Sequence, residues 1–288
     1  MSAASCREKN VLLNLSNVTL CAVSGTLLPQ TVAAMERARA GIAFGAGLFM
    51  TDRPGEVAPP EGVDVVEVPS LRSREDYSLA VQTQLAPHVR TDFAMVIQWD
   101  GYPVRPENWM DAFLDYDYVG APWPQFPSAI AVGNGGFSLR SRRLLEACLD
   151  PRFRPGHPED VIICHTNRAL LEDVYDIRFA PVDLARRFSC ERTGEAAKSF
   201  GFHGLFNMPR EMGIEAFLVF FATLDRQFTG VRELCDLRDV LLCADEPAAS
   251  VEAGRLLAYL VRYRWRDPAF WRYVRRKLAG GSSAVPFA

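Results

Sequence analysis

Four short stretches of the chain combine residue types that can do chemistry: Gln98-Trp99-Asp100-Gly101, Gly133-Asn134-Gly135-Gly136, His157-Pro158-Glu159-Asp160 and Phe200-Gly201-Phe202-His203-Gly204. Asp100 follows an apolar run and precedes a glycine. Capping of a turn is its plainer role, but a carboxylate at a strand end is also suited to hold a divalent cation against a diphosphate. Such a cation neutralises the charge that develops on a departing nucleotide. Gly135 and Gly136 let backbone approach a ligand closely, although Asn-Gly and Gly-Gly are common turn residues too. Glu159 and Asp160 fall in the first turn of a helix, where acids complement the dipole. One of them can equally act as a general base. Adjacent helical residues diverge, so no more than one faces a reaction directly. His203 is either structural or a metal ligand. His88 and His165 lie in helical patterns and read as structural.

These residues need a scaffold, and the first hundred residues describe one. Apolar, β-branched runs at 17–24, 44–50, 63–68 and 93–98 read as buried strands. Helical segments alternate with them: one opened by Pro29, and one carrying a Ser73/Asp76 capping box with Tyr77, Val81 and Leu85 on one face. Alternation of this kind predicts an α/β fold with a mostly parallel sheet. Ligands in such sheets bind beyond the carboxyl ends of the strands, where Ser24, Asp52 and Asp100 all fall. Position alone makes Ser24 and Asp52 candidates for holding a nucleoside. Further along, a helix is expected from Pro106, a strand at 118–121, a strand and helix after Gly136, a helix opened by Pro158, and a late strand at 177–180. A short strand near Phe200 is the one strand signal beyond that. From about 211 the pattern is helical, with Ile214, Phe217, Leu218, Phe221 and Leu224 on one face and further helices at 231–243 and 251–264. The expected organisation is a domain over 1–210, a helical appendage over 211–279 and a frayed tail over 280–288.

The order of the four stretches resembles the landmarks of GT-A glycosyltransferases: a D-x-D motif, a glycine-rich loop, an x-E-D motif and a late histidine. Their counterparts are Gln98-Trp99-Asp100, Gly135-Gly136, Pro158-Glu159-Asp160 and His203. A narrower resemblance runs to a domain-of-unknown-function family of bacterial proteins classed with the glycosyltransferases. It is carried by Pro106-Glu107-Asn108-Trp109, Tyr118-Val119-Gly120-Ala121-Pro122-Trp123-Pro124, the segment from Gly133 to Ser141 and Phe200-Gly201-Phe202-His203-Gly204, and it spans about 15–207. The resemblance implies a Rossmann-like GT-A fold and transfer of a sugar from a nucleotide-sugar, a UDP-sugar foremost, to a hydroxyl acceptor. A glycan, a lipid-linked molecule or a small molecule would serve as acceptor. It further implies Mn²⁺ or Mg²⁺ held by Asp100 and His203. Donor contacts would come from Gln98, Trp99, Asp100, Gly135 and Gly136. Asp160 would be the base of an inverting reaction, with Glu159 as support or alternative. Trp123 is a candidate to stack on an acceptor sugar, or a structural aromatic. One departure stands out: Gln98 occupies the position of the first D-x-D acid.

Composition narrows the alternatives. A net charge of -3 over 288 residues gives no general attraction to nucleic acid. Seven scattered cysteines without a C-x-x-C pair read as reduced core thiols of a cytoplasmic protein. The N-terminal apolar run is broken by Asn10, Asn14, Ser16 and Asn17 and does not read as a secretory signal. No G-x-G-x-x-G follows the first strand, which argues against a dehydrogenase. A nucleotidyltransferase ranks lower than a glycosyltransferase for want of a basic glycine-rich signature there. A catalytically silent nucleotide-sugar or glycan-binding module stays open, as does the oligomeric state. The segment 262–277 interleaves arginines with aromatics. It reads either as an amphipathic helical pair packed on the domain, or as a surface for an anionic acceptor such as a lipid-linked phosphate or for a peripheral membrane contact.

Overall fold

A computed structural model describes residues 12–281. Strands β1 (Leu13–Val23), β2 (Ile42–Thr51), β3 (Val63–Glu67) and β4 (Phe93–Ile97) alternate with helices α1 (Leu28–Arg39) and α2 (Arg74–Thr83). After the short strands β5 (Gly101–Pro103) and β6 (Tyr118–Gly120) come β7 (Phe137–Ser141) and α3 (Arg142–Ala147). Six strands form one sheet in the order β3-β2-β1-β4-β7-β6. The first four of these run parallel, and β7 runs against both of its neighbours. The fold is therefore α/β with a mostly parallel sheet.

The two faces explain why the central strands read as unbroken apolar runs. Leu20, Ala22, Phe49, Met95 and Ile97 pack with Ala34, Met35 and Ala38 of α1. Cys21, Val23, Met50, Ala94 and Val96 point the other way, onto Ala80 and Val81 of α2. The Ser73 cap is complete, since its hydroxyl accepts from Asp76 N–H at 3.0 Å and the Asp76 carboxylate accepts from Ser73 N–H at 3.0 Å.

The middle of the chain departs from expectation in three places. The helix expected from Pro106 is one 3₁₀ turn, Pro106–Asn108, followed by a second at Asp111–Asp115. The helix opened by Pro158 is broken: α4 (Glu159–Val161) gives way to a π turn, Ile162–Thr166, before α5 (Arg168–Tyr175). Asn167 causes the break by donating its side-chain amide to the Ile162 and Arg154 carbonyls at 3.0 and 3.1 Å. The strand expected at 177–180 is a single bridge, Tyr118 to Phe179. There the Asp117 carboxylate accepts the Arg178 N–H at 2.8 Å, so that donor is lost to a longer ladder.

After α6 (Val182–Phe188), strands β8 (Ser189–Cys190) and β9 (Gly201–His203) form a second sheet with β5, in the order β5-β9-β8. The rest is helical: α7 (Met208–Met212), α8 (Ile214–Ala222), α9 (Val231–Cys243), α10 (Pro247–Tyr259), a π turn at Leu260–Arg264 and α11 (Pro268–Leu278). Phe217, Phe221, Leu234, Leu237 and Leu256 from these helices join the same core cluster as the sheet. Of the described cysteines, five are buried and Cys243 is exposed, all free. Cys6, and the expected tail from 282 onward, lie outside the described residues.

Candidate functional site

A cavity of about 580 Å³ opens beyond the carboxyl ends of the parallel strands. Val23 and Ser24 after β1, Leu71 to Arg74 ahead of α2, and Gln98, Trp99 and Asp100 after β4 line it. Glu159, Glu191, His203 and Glu233 complete the polar wall.

The turn after β4 and the pairing of β5 with β9 position Asp100 and His203. Gln98 and Gly101 exchange both backbone hydrogen bonds, each at 3.1 Å, which turns the chain sharply through Trp99 and Asp100. Gly101 then stands opposite His203 in the antiparallel β5/β9 ladder. Residues a hundred apart in sequence thus meet, with His203 Nε2 3.7 Å from Asp100 Oδ1. Both of these atoms are buried and have no hydrogen-bond partner among the described residues.

The glycines around them make room for the imidazole. A Cβ on Gly136 would lie 2.0 Å from His203 Nε2, and one on Gly101 would lie 2.6 Å from His203 Cδ2. The far side of the ring is held at Nδ1, 3.2 Å from Asn134 Nδ2 and 3.7 Å from Glu191 Oε1. Asn134 adopts a left-handed φ of 58° and accepts the Gly136 N–H at 3.2 Å on its side-chain oxygen. The loop 133–136 is therefore shaped around the histidine.

Charge at this wall is unbalanced. Burial disfavours the His203 imidazolium, but Asp100 and Glu191 outweigh it and hold the ring's pKa up at about 9. Burial raises the Asp100 carboxyl above its ordinary range despite the nearby imidazole. Burial, then the Asp100 charge, pushes Glu233 of α9 up to about 7. Burial works in the same direction on Glu191, but contact with His203 brings it below the ordinary value. Three acids thus surround one imidazole. Among the described residues no three His, Cys, Asp or Glu side chains converge closely enough to form a metal cage. A protein–phosphate site needs no cage, because Mg²⁺-type ions take one or two protein ligands and fill the rest with phosphate and water. Asp100 Oδ1 is an oxygen donor of that kind, and His203 Nε2 would add a nitrogen ligand once its proton is lost.

The other expected residues are placed as follows. Ser24 lines the cavity, while its hydroxyl donates to the Thr26 carbonyl and accepts the Thr26 N–H at 3.3 Å. Asp52 lies behind the cavity lining and accepts the Leu71 N–H at 2.9 Å. Glu159 is at the cavity wall, but its carboxylate pairs with the fully buried Arg140 at 3.0 Å. Asp160 accepts from Gly135 N–H at 3.1 Å and from Val161 N–H at 2.8 Å. Trp123 is buried, stacked at 5.3 Å on His165 and against Gly133. Gln98 and Trp99 line the cavity, with Trp99 stacked on Phe220 of α8 at 6.3 Å. Glu191, Glu233, Arg72, Arg74 and Tyr77 line it as well and belong to no expected motif. Glu233 looks from sequence like an ordinary acid in a first helical turn.

Comparison with known proteins adds the following. A family described as a protein of unknown function (DUF5672) matches residues 64–203, just under half of the chain. That stretch takes in Asp100, Gly135, Gly136, Glu159, Asp160 and His203, leaves out Ser24 and Asp52, and is shorter than the expected 15–207. No curated protein sequence matches the chain. Among solved structures, the chain is similar to the mannosyltransferase PcManGT from Pyrobaculum calidifontis in complex with GDP-Man and Mn²⁺, at 14% identity and a TM-score of 0.42, covering 92% of this chain and 76% of that one. It is also similar to the bifunctional IspDF from Campylobacter jejuni, at 8% identity and a TM-score of 0.36, covering 52% of this chain and 47% of that one. A third similarity is to HddC from Yersinia pseudotuberculosis, at 15% identity and a TM-score of 0.30, covering 50% of this chain and 88% of that one.

Proposed function

We propose that the chain is a glycosyltransferase of GT-A type, which transfers a sugar from a nucleotide-sugar to a hydroxyl acceptor with a divalent cation. The carrying observation is the pair of buried, unpartnered atoms, Asp100 Oδ1 and His203 Nε2, 3.7 Å apart at the wall of a strand-end cavity. Unsatisfied buried polar atoms are costly, and a cation bridging a diphosphate would satisfy both. Mn²⁺ or Mg²⁺ bound there would stabilise the leaving nucleotide's charge. The protein's own part is positioning: the β5/β9 ladder and Gly136 fix His203, and Asn134 and Glu191 orient its ring.

Asp160 is the proposed base. Glu159 lines the cavity but is committed to Arg140, whereas Asp160, just outside the lining, accepts only N–H bonds among the described residues and keeps lone pairs for an acceptor proton. Attack assisted by Asp160 inverts the anomeric centre. Gln98, Trp99 and Ser24 contribute to the donor wall.

The test is incubation with UDP-glucose, UDP-galactose, UDP-N-acetylglucosamine and GDP-mannose in the presence of Mn²⁺, following nucleoside diphosphate release and sugar product by mass spectrometry. Metal-dependent diphosphate release that is lost in Asp100→Asn is expected. Release of pyrophosphate instead, or tight donor binding with no turnover on any donor, contradicts the reading. Proton spectra of the product report the anomeric outcome, and retention of the donor configuration removes Asp160 from the role of base.

A further inference from the structure

The basic-aromatic segment near the C-terminus is divided cleanly by the fold. On the inner side of α11, Phe270 and Tyr273 are buried. Arg276 and Lys277 reach Asp239 of α9 at 3.0 and 2.9 Å. These residues attach the helix. Trp271, Arg272, Arg275 and Leu278 fall on the opposite face, within about a third of the helical circumference. Trp271 is 47% exposed and Leu278 84% exposed. Arg272 and Arg275 are exposed and make no ion pair among the described residues, in contrast to Arg276 and Lys277. The preceding turn repeats the chemistry: Trp265 is 48% exposed, and Arg266 lies over its ring at 5.1 Å with no acidic partner among the described residues.

From this division we infer that the outer face of α11, with the turn before it, docks on an anionic lipid bilayer. The stretch 261–278 holds seven basic residues and one acid in a chain whose net charge is -3, and after Arg276 and Lys277 are taken by Asp239 its outer face is still locally basic. Exposed tryptophan beside arginine suits the headgroup region, where the indole is half apolar and half wet. A leucine on the same face suits the acyl boundary just beneath. Unpaired arginines gain from the negative potential of anionic lipids. No helix of the described residues is long and apolar enough to cross a membrane, so this contact lies in the interface. The docking face does not depend on the sugar-transfer reading.

The experiment is co-sedimentation of the full chain with phosphatidylcholine vesicles, and with vesicles that add phosphatidylglycerol. Binding to the anionic vesicles alone is expected. The double variant Arg272→Glu/Arg275→Glu should lose about tenfold or more in partitioning. Trp271→Ala/Leu278→Ser should weaken it at unchanged charge. Both sites are on the outer face, and an unaltered thermal transition reports that each variant remains folded. Absence of binding to anionic vesicles, equal binding to neutral ones, or unchanged binding of the charge-reversal variant overturns the inference. Retention of a single-stranded oligonucleotide without vesicle binding also overturns it.

Discussion

His203 is useful only if its ring stays where the backbone leaves room. Gly136→Ala would put a Cβ 2.0 Å from His203 Nε2, so the ring must shift from its place beside Asp100. Overpacking of this kind costs about 1–3 kcal/mol, so the variant should melt lower and lose its Mn²⁺-induced thermal shift. An unchanged shift would detach the glycine from the proposed metal site. The two acids of the x-E-D stretch should separate by phenotype. Glu159→Ala leaves Arg140 buried and unpaired, and should cost about 3–5 kcal/mol of stability in urea unfolding. Asp160→Asn should leave the unfolding midpoint nearly unchanged and lower kcat by about 10²–10⁴-fold. The reverse pattern would exchange their roles.

Protonation belongs to the same scale. The folded state holds the His203 pKa up at about 9 from 6.5, and that of Glu233 up at about 7 from 4.5. Each group takes up its proton more tightly when folded. Their contribution to stability is therefore complete below the unfolded values and is lost as pH rises through the folded ones. The metal-free protein should lose stability between about pH 5 and pH 9. A cation bound as proposed would replace the proton on His203, so Mn²⁺ should raise the melting temperature more near pH 8.5 than near pH 6. A metal shift that is flat with pH would contradict the placement of the cation at this histidine.

At the scale of elements, α9 ties the site to the C-terminal helices. It presents Glu233 to the cavity, while Asp239 on the same helix accepts from Tyr273 Oη at 2.8 Å and pairs with Arg276 and Lys277. Asp239→Ala removes the acid from Lys277 and the acceptor from Tyr273, leaves Arg276 only Asp236 at 3.8 Å, and should destabilise by about 2 kcal/mol. Limited proteolysis should then cut first near α11. Cleavage elsewhere first would show that α11 is held by other contacts. The same elements show what a sequence can reveal. β1, β2 and β4 were legible because both faces are buried, which writes an unbroken apolar run. The Ser73 cap was legible because its partners are three residues apart. β8 and β9 are two and three residues long, too short for any period. The π break after Val161 depends on where one asparagine side chain lands. Glu191 and Glu233 could not be picked out, since one follows β8 and the other lies on α9, and they meet at the cavity wall only in the folded chain.

Across the whole molecule, the sheet supplies one wall of the cavity and the second, three-stranded sheet supplies the histidine. The C-terminal helices close the polar side. The resemblance ordered Asp100, Gly135, Gly136, Asp160 and His203 along the chain. The fold adds that Asp100 and His203 meet through strand register, and that Gly136 is where it is because of the imidazole. A cation held between these two residues and a diphosphate is the centre of the proposed function. Calorimetric titration with uridine diphosphate, and separately with guanosine diphosphate, in the presence and absence of Mn²⁺ tests it most directly. At least one nucleotide should bind with Mn²⁺ and bind at least about tenfold more weakly without it, a difference of about 1.4 kcal/mol. Asp100→Asn and His203→Ala should each remove that difference. Binding of equal strength with and without Mn²⁺, or a metal effect that survives both substitutions, would contradict the account.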